Sequence, residues 1–210
     1  MVATLSDVLR AVESAWAARP ERGVSWPAPH PDRAPLDEEY SRVTDPERYL
    51  VVGARVQAWV EALTGLGLAR RAEGPEGALR LVPVVDGALV LDVDVRSMDG
   101  VPGMVVDLLV GDPAVVVGSQ PGCGCDACDD GSESLLEAVD EMFVGILGGG
   151  FVLIDSKRST IIATADGWSA SGDTGDTGGS DRRSASRRAT SGSAHPGRRG
   201  LVASLTTRTG

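Results

Sequence analysis

The chain has 210 residues, of which 42% are apolar, 4% aromatic and 24% charged, as in ordinary globular proteins. Its formal net charge of −10 argues against sequence-independent binding to nucleic acids or anionic membranes, because both depend on neutralising phosphate groups. No stretch approaches the about 20 continuous apolar residues of a membrane-spanning helix, and no basic and apolar leader follows Met1, so we expect a soluble, cytoplasmic protein.

The chain begins with a predicted amphipathic helix followed by a proline-rich arm. Apolar residues spaced by three and four predict the helix over residues 4–19, and Pro20 prevents its continuation. The arm, residues 20–45, contains several further prolines and little periodicity, which predicts an extended surface segment. We expect Trp26 and Tyr40 to anchor the arm to the rest of the protein.

A second helix and several strands are predicted next. Asp45 precedes a proline and an acidic residue, which predicts that its side chain caps a helix ending near Leu66. Apolar residues over 79–95 then alternate among turn residues, which predicts strands joined by a tight connection. Two further apolar runs, 105–110 and 114–117, are separated by a glycine-containing turn and predict two more strands.

The last predicted elements are a helix and a hairpin. The predicted N-terminal cap of this helix is Ser132 or Ser134. Three consecutive glycines, which begin at Gly148, are predicted to end it. Residues 151–154 and 160–164 predict a final pair of strands.

These elements predict an α+β fold with a mainly antiparallel sheet and about three amphipathic helices. We expect residues 1–169 to form a single domain and residues 170–210, which are rich in glycine, serine, threonine and arginine, to be a disordered tail. The first segment has 27 acidic and 13 basic side chains, a net charge of −14, whereas the tail has a net charge of +4. A basic protein is therefore the partner that the domain would attract.

The residues with the clearest chemistry lie in one loop, residues 121–131. Its three cysteines, Cys123, Cys125 and Cys128, are too close together to join distant segments through disulfides, and their spacing predicts a metal site, with zinc as the favoured ion. A structural zinc site has four ligands, so one more is needed. The candidates for the fourth ligand are a water molecule and four side chains, Asp126, Asp129, Asp130 and His30.

Two other interpretations of the loop stay open. Cys125 and Cys128 have the spacing of a redox dithiol before a helix, although the neighbouring aspartates should disfavour a free thiolate. Alternatively, the thiols are inert and the protein is an acidic interaction module of the immunity type.

Asp92 and Asp94 share one face of a predicted strand, which we interpret as a solvated surface. No motif of a known catalytic centre is present, so enzymatic activity stays undecided.

Three segments, 40–49, 111–113 and 123–129, resemble a family of uncharacterised actinobacterial proteins defined by a domain of unknown function. The Cys-Gly-Cys-Asp-Ala-Cys-Asp motif at 123–129 carries most of the resemblance. The resemblance implies one unit over residues 1–169, and it implies no activity, cofactor or catalytic residue.

Overall fold

The computed structural model describes residues 3–148, 151–155, 159–164 and 167–172. The helices are α1 (Leu5–Ala17), α2 (Val51–Gly65) and α3 (Gly131–Leu147). The strands are β1 (Ala69–Glu73), β2 (Leu79–Pro83), β3 (Leu91–Met98), β4 (Val101–Val110), β5 (Val115–Gln120), β6 (Val152–Asp155), β7 (Ser159–Thr164) and β8 (Gly167–Gly172). In the ranges that the structure describes, no helix is long and apolar enough to cross a membrane.

The strands form two antiparallel sheets, each following chain order. The larger sheet has the order β1-β2-β3-β4-β5 and the smaller has the order β6-β7-β8. The predicted α+β class with a mainly antiparallel sheet is therefore confirmed. Of the predicted disordered tail, residues 170–210, the first three belong to β8, and the rest lies outside the described residues.

The start of α1 is fixed by a reciprocal cap at Thr4. The Thr4 hydroxyl accepts a hydrogen bond from the Asp7 backbone N–H at 3.2 Å, and the Asp7 carboxylate accepts one from the Thr4 N–H at 2.9 Å. Val8, Val12 and Trp16 form the buried face, one helical turn apart. The predicted first helix is confirmed, with slightly shorter bounds.

The start of the second helix differs from its prediction. Asp45 has a left-handed backbone with φ of 48°, and its side chain caps nothing. The chain from Pro46 to Leu50 forms a 3₁₀ helix instead, and α2 begins only at Val51. The predicted side-chain cap at Asp45 is therefore wrong, although the helix that follows is confirmed.

One core lies between the helices and the larger sheet. Trp59 of α2 stacks on Phe143 of α3, with ring centroids 4.7 Å apart and planes 3° from parallel. The Trp59 indole N–H donates to Asp140 Oδ1 at 2.7 Å, which satisfies this buried donor. The sheet contributes an apolar face to this core: Leu81, Leu91, Val93, Val106, Leu108 and Val110. This packing fixes α3, and so fixes the position of the loop that precedes it.

The interpretation of Asp92 as a solvated residue is wrong. Asp92 is only 2% exposed, and its carboxylate accepts two hydrogen bonds from the Arg80 guanidinium, at 2.8 and 2.7 Å. Arg80 lies directly opposite Asp92 in the register of β2 and β3, so the neighbouring strand supplies the counter-charge. The alternation of polar and apolar residues along one strand does not reveal a charged partner on the neighbouring strand.

The remaining strand predictions have mixed outcomes. Strand β1 was missed, because its residues are mostly charged and exposed at the edge of the sheet. The pairing of β6 with β7 confirms the final pair of strands, and residues 156–158 between them lie outside the described residues.

Candidate metal centre

The cysteine loop connects β5 to α3 and packs against the turn between β3 and β4. A Cβ at Gly124 would lie 2.5 Å from Asp99 Oδ2 and 2.7 Å from Met104 Cε, so the loop backbone approaches the sheet more closely than a side chain would allow. A short 3₁₀ helix, Asp126–Cys128, lies at the centre of the loop. The chain leaves this turn and enters α3 three residues later.

The three cysteines converge. Their Sγ atoms all lie within 4.8 Å of one another, and Cys123 Sγ is 3.2 Å from Cys125 Sγ. None of the three forms a disulfide, and Cys125 is buried whereas Cys123 and Cys128 are exposed. A tetrahedral ion with zinc–sulfur bonds of about 2.3 Å holds its sulfurs about 3.8 Å apart, which lies between these two distances. Small side-chain rotations would therefore place all three around one ion.

The pKa values of Cys125 and Cys128 are shifted in opposite directions. Burial raises the pKa of Cys125, but hydrogen bonds from Cys123, Cys128 and backbone N–H groups outweigh this effect and lower it overall. The pKa of Cys128 is raised to about 12, first by its hydrogen bond to Cys125 and then by burial. Cys125 therefore ionises more readily than Cys128.

Asp126 holds the loop to the proline-rich arm. Its carboxylate accepts hydrogen bonds from Arg42 Nε at 2.5 Å and from the Thr44 backbone N–H and hydroxyl, each at 2.7 Å. The Asp126 backbone N–H donates to the Arg42 carbonyl at 2.8 Å. Burial raises the pKa of Asp126, but the hydrogen bonds from Arg42 and Thr44 lower it overall. The carboxylate is therefore engaged away from the thiols.

Asp129 makes a second connection to the arm. Its carboxylate accepts hydrogen bonds from the Trp26 indole N–H at 2.9 Å, from Arg48 at 2.8 Å and from the Gly131 backbone N–H at 2.9 Å. The Arg48 guanidinium also lies over the rings of Trp26 and Tyr49, 5.1 and 5.2 Å from their centroids. The arm and the loop thus share one partly buried network of charged and aromatic side chains.

Tyr40 does not anchor the arm, and its neighbour Glu39 is buried through contacts within the arm. The predicted anchor Tyr40 is 59% exposed, whereas Glu39 is 4% exposed and pairs with the guanidinium of Arg33. Hydrogen bonds from Arg33 and from the Leu36 backbone N–H hold the pKa of Glu39 at about 2, well below its usual 4.5. The prediction for Tyr40 is wrong, whereas Trp26 packs against the core as expected.

The predicted caps of α3 are also replaced by contacts with the arm. The Ser132 hydroxyl accepts a hydrogen bond from the Trp26 backbone N–H at 3.1 Å, and no side chain caps the first turn of α3 from Asp130. Gly131 has a φ of 86°, and a Cβ there would lie 2.6 Å from Ala28 N. The arm therefore crosses the start of α3 where only glycine fits.

The structure does not bring the predicted fourth ligands to the thiols. Among the described residues, the group that could hold a metal contains only the three cysteines. The expectation fails for Asp126 and Asp129, because their carboxylates bind Arg42 and Arg48 instead. His30 Nε2 lies 3.1 Å from the Asp126 carbonyl oxygen and 3.7 Å from Glu39 Oε2, beside the loop backbone and outside the sulfur group. Asp130 is exposed at the edge of the loop.

A cleft of about 350 Å³ lies beside the cysteines. It runs between the loop and the first two turns of α3, where Ser134, Leu135 and Ala138 line it. Cys123 and Cys128 form part of its wall, whereas Cys125 does not. The two exposed thiols therefore face a space large enough for a small molecule.

The model of a protein family described as a family of unknown function (DUF6226) matches residues 12–202. The chain belongs to this family. The match covers both the arm and the cysteine loop, and it extends past residue 169, where we expected the resemblance to end. No curated protein and no solved structure matches the chain significantly. For this DUF6226 member, the geometry of the loop is therefore the basis for a functional proposal.

Proposed function

We propose that this protein is a metal-binding protein that holds one zinc ion through the thiolates of Cys123, Cys125 and Cys128. The observation that carries this proposal is the convergence of three free thiols within 4.8 Å in one loop. Three thiolates are soft ligands, a type that selects zinc over magnesium or calcium. A zinc ion would replace the thiol protons and bind all three sulfurs.

The surroundings of the loop support a cation at this point. Arg42 and Arg48 already neutralise Asp126 and Asp129, so these carboxylates do not compete for the ion. The remaining charge at the site develops on the sulfurs themselves as they lose protons. A divalent cation offsets the mutual repulsion of three thiolates, which would otherwise oppose their ionisation.

The role that follows is structural or regulatory. Asp126 and Asp129, which lie on either side of Cys128, bind Arg42 and Trp26 of the arm, so ordering the loop around an ion would also order its contacts with the arm. A ligand that binds only the folded state stabilises that state in proportion to its concentration and affinity. Metal binding would therefore control the stability of the joined arm and loop.

The test is elemental analysis of the full chain purified without chelators or a metal-affinity step. We expect about one zinc per chain, and we expect Cys125→Ser to lose most of it, because the substitution removes one of the three thiolate ligands. Ser134→Ala, beside the same cleft, is the matched control and should retain the metal. Equal zinc content in wild type and Cys125→Ser would overturn the proposal.

A second candidate function is thiol redox chemistry, favoured by the 3.2 Å separation of Cys123 and Cys125 and the lowered pKa of Cys125. Oxidation would remove two electrons and two protons from a thiol pair and transfer them to a disulfide substrate, forming an intramolecular disulfide. Reversible formation of that disulfide in protein purified without metal, with turnover of a model disulfide, would favour this candidate. Zinc that protects all three thiols from alkylation would exclude it.

A further inference from the structure

The cleft beside the cysteines has the size of a binding site for a small molecule. Its volume of about 350 Å³ is within the range of about 300–1,000 Å³ that is typical of ligand pockets. Two of its wall residues, Cys123 and Cys128, belong to the proposed zinc site. A molecule in the cleft would therefore lie next to the ion.

The proposed site leaves one coordination position free for such a molecule. Zinc binds four ligands, and among the described residues three sulfurs form the group. Cys125 is buried and does not line the cleft, whereas Cys123 and Cys128 are exposed and line it. A fourth ligand therefore approaches the ion from the cleft.

The chemistry of the site favours sulfur as this ligand. Three thiolates give a zinc centre a net charge of −1, which weakens its attraction for water and for anionic oxygen ligands. The exposed carboxylate of Asp130 lines the same cleft and adds to the repulsion of anions. A neutral thiol avoids this repulsion on entry, and its soft sulfur matches the other ligands.

The walls of the cleft fit an organic body attached to that sulfur. Tyr49, Pro121, Leu135 and Ala138 supply apolar surface, and the Gln120 amide offers a polar contact. We infer that the cleft binds a small organic thiol whose sulfur completes the coordination of the ion held by Cys123, Cys125 and Cys128. This inference rests on the proposed function. On binding, the thiol loses its proton to solvent, water leaves the ion, and no electron is transferred.

The experiment uses the full chain loaded with cobalt(II) as a spectroscopic substitute for zinc. Phenylmethanethiol is the probe, and phenylmethanol, which has the same shape with oxygen in place of sulfur, is the control. Adding the thiol should strengthen the sulfur-to-cobalt charge-transfer absorption and shift the ligand-field bands, with release of one proton per bound thiol in weak buffer. The alcohol should change neither signal.

Two variants test whether the cleft contributes. Ala138→Phe fills the cleft and should weaken thiol binding by at least about 10-fold while the metal content stays unchanged. Glu137→Phe is the matched control, because Glu137 is exposed on the same helix and does not line the cleft. Equal weakening in both variants would overturn the role of the cleft.

The outcomes separate the two proposals. Cobalt binding with a spectrum that the thiol does not change would overturn this inference and leave the metal site standing. Failure of the wild-type chain to bind cobalt or zinc would overturn the metal site itself. A change of the cobalt spectrum in Asp130→Asn without added thiol would show that this carboxylate occupies the fourth position, and would also overturn the inference.

Discussion

The network between arm and loop makes a quantitative prediction for Asp129→Asn. The substitution keeps the size of the side chain and removes its charge. One amide oxygen is still able to accept from Trp26 and Gly131, but the amide nitrogen then faces Arg48, which donates to the other oxygen at 2.8 Å in the wild type. Because a hydrogen bond to a charged group contributes about 1.5–3 kcal/mol, we expect a loss of about 2–3 kcal/mol in the free energy of unfolding.

The upper part of this range is favoured because Arg48 is largely buried. Its side chain is 17% exposed and that of Asp129 is 3% exposed, so removing one charge leaves the other poorly solvated. Contacts of the guanidinium with the Trp26 and Tyr49 rings persist in the variant and limit the loss.

The measurement is urea denaturation of the variant and wild type in the presence of chelator, so that metal does not contribute to stability. Asp130→Asn is the matched control, because it removes the same charge from the next residue, which is exposed. We expect the control to lie within about 0.5 kcal/mol of wild type. If the two variants were equally stable, the Asp129 network would not join the arm to the loop as argued.

Two further predictions follow from the arm. Gly131→Ala should destabilise the protein by more than about 2 kcal/mol, because φ is 86° and the new Cβ would lie 2.6 Å from Ala28 N. Gly122→Ala, with nothing within 4 Å, is its control in thermal melts, and equal melting temperatures would contradict the close approach. The free energy of unfolding should also fall as the pH drops from 4.5 towards about 2, because the lowered pKa of Glu39 stabilises the fold above this interval and the contribution is lost on protonation. Glu39→Gln should flatten this part of the pH profile, and an unchanged profile would argue against the role of Glu39.

Sequence patterns predicted the elements that have one continuous buried face. Val8, Val12 and Trp16 are one turn apart and buried, so their spacing was sufficient to place α1. Val139 and Phe143 are likewise buried one turn apart, and their spacing placed α3. The apolar side chains that build the core therefore also identified the helices.

The same approach failed for charged residues whose partners lie elsewhere in the chain. Asp92 has the side chain of a surface residue, and it is buried because Arg80 of the neighbouring strand binds it. Tyr40 has the side chain of an anchor, and it is exposed. Burial of a carboxylate depends on its counter-charge, which periodicity along one segment does not reveal.

This limit changes the interpretation of the cysteine loop. From sequence, its aspartates were either metal ligands or a reason to disfavour a thiolate, because no counter-charge was known. Arg42 and Arg48 bind Asp126 and Asp129, so neither argument applies to these two carboxylates. Both arginines lie in segment 40–49, and both aspartates lie in segment 123–129, two of the segments on which the family resemblance rested. What joins these segments is a pair of ion pairs, one on either side of Cys128. We therefore expect metal binding or oxidation at the thiols to change the stability of the contact between the arm and the loop.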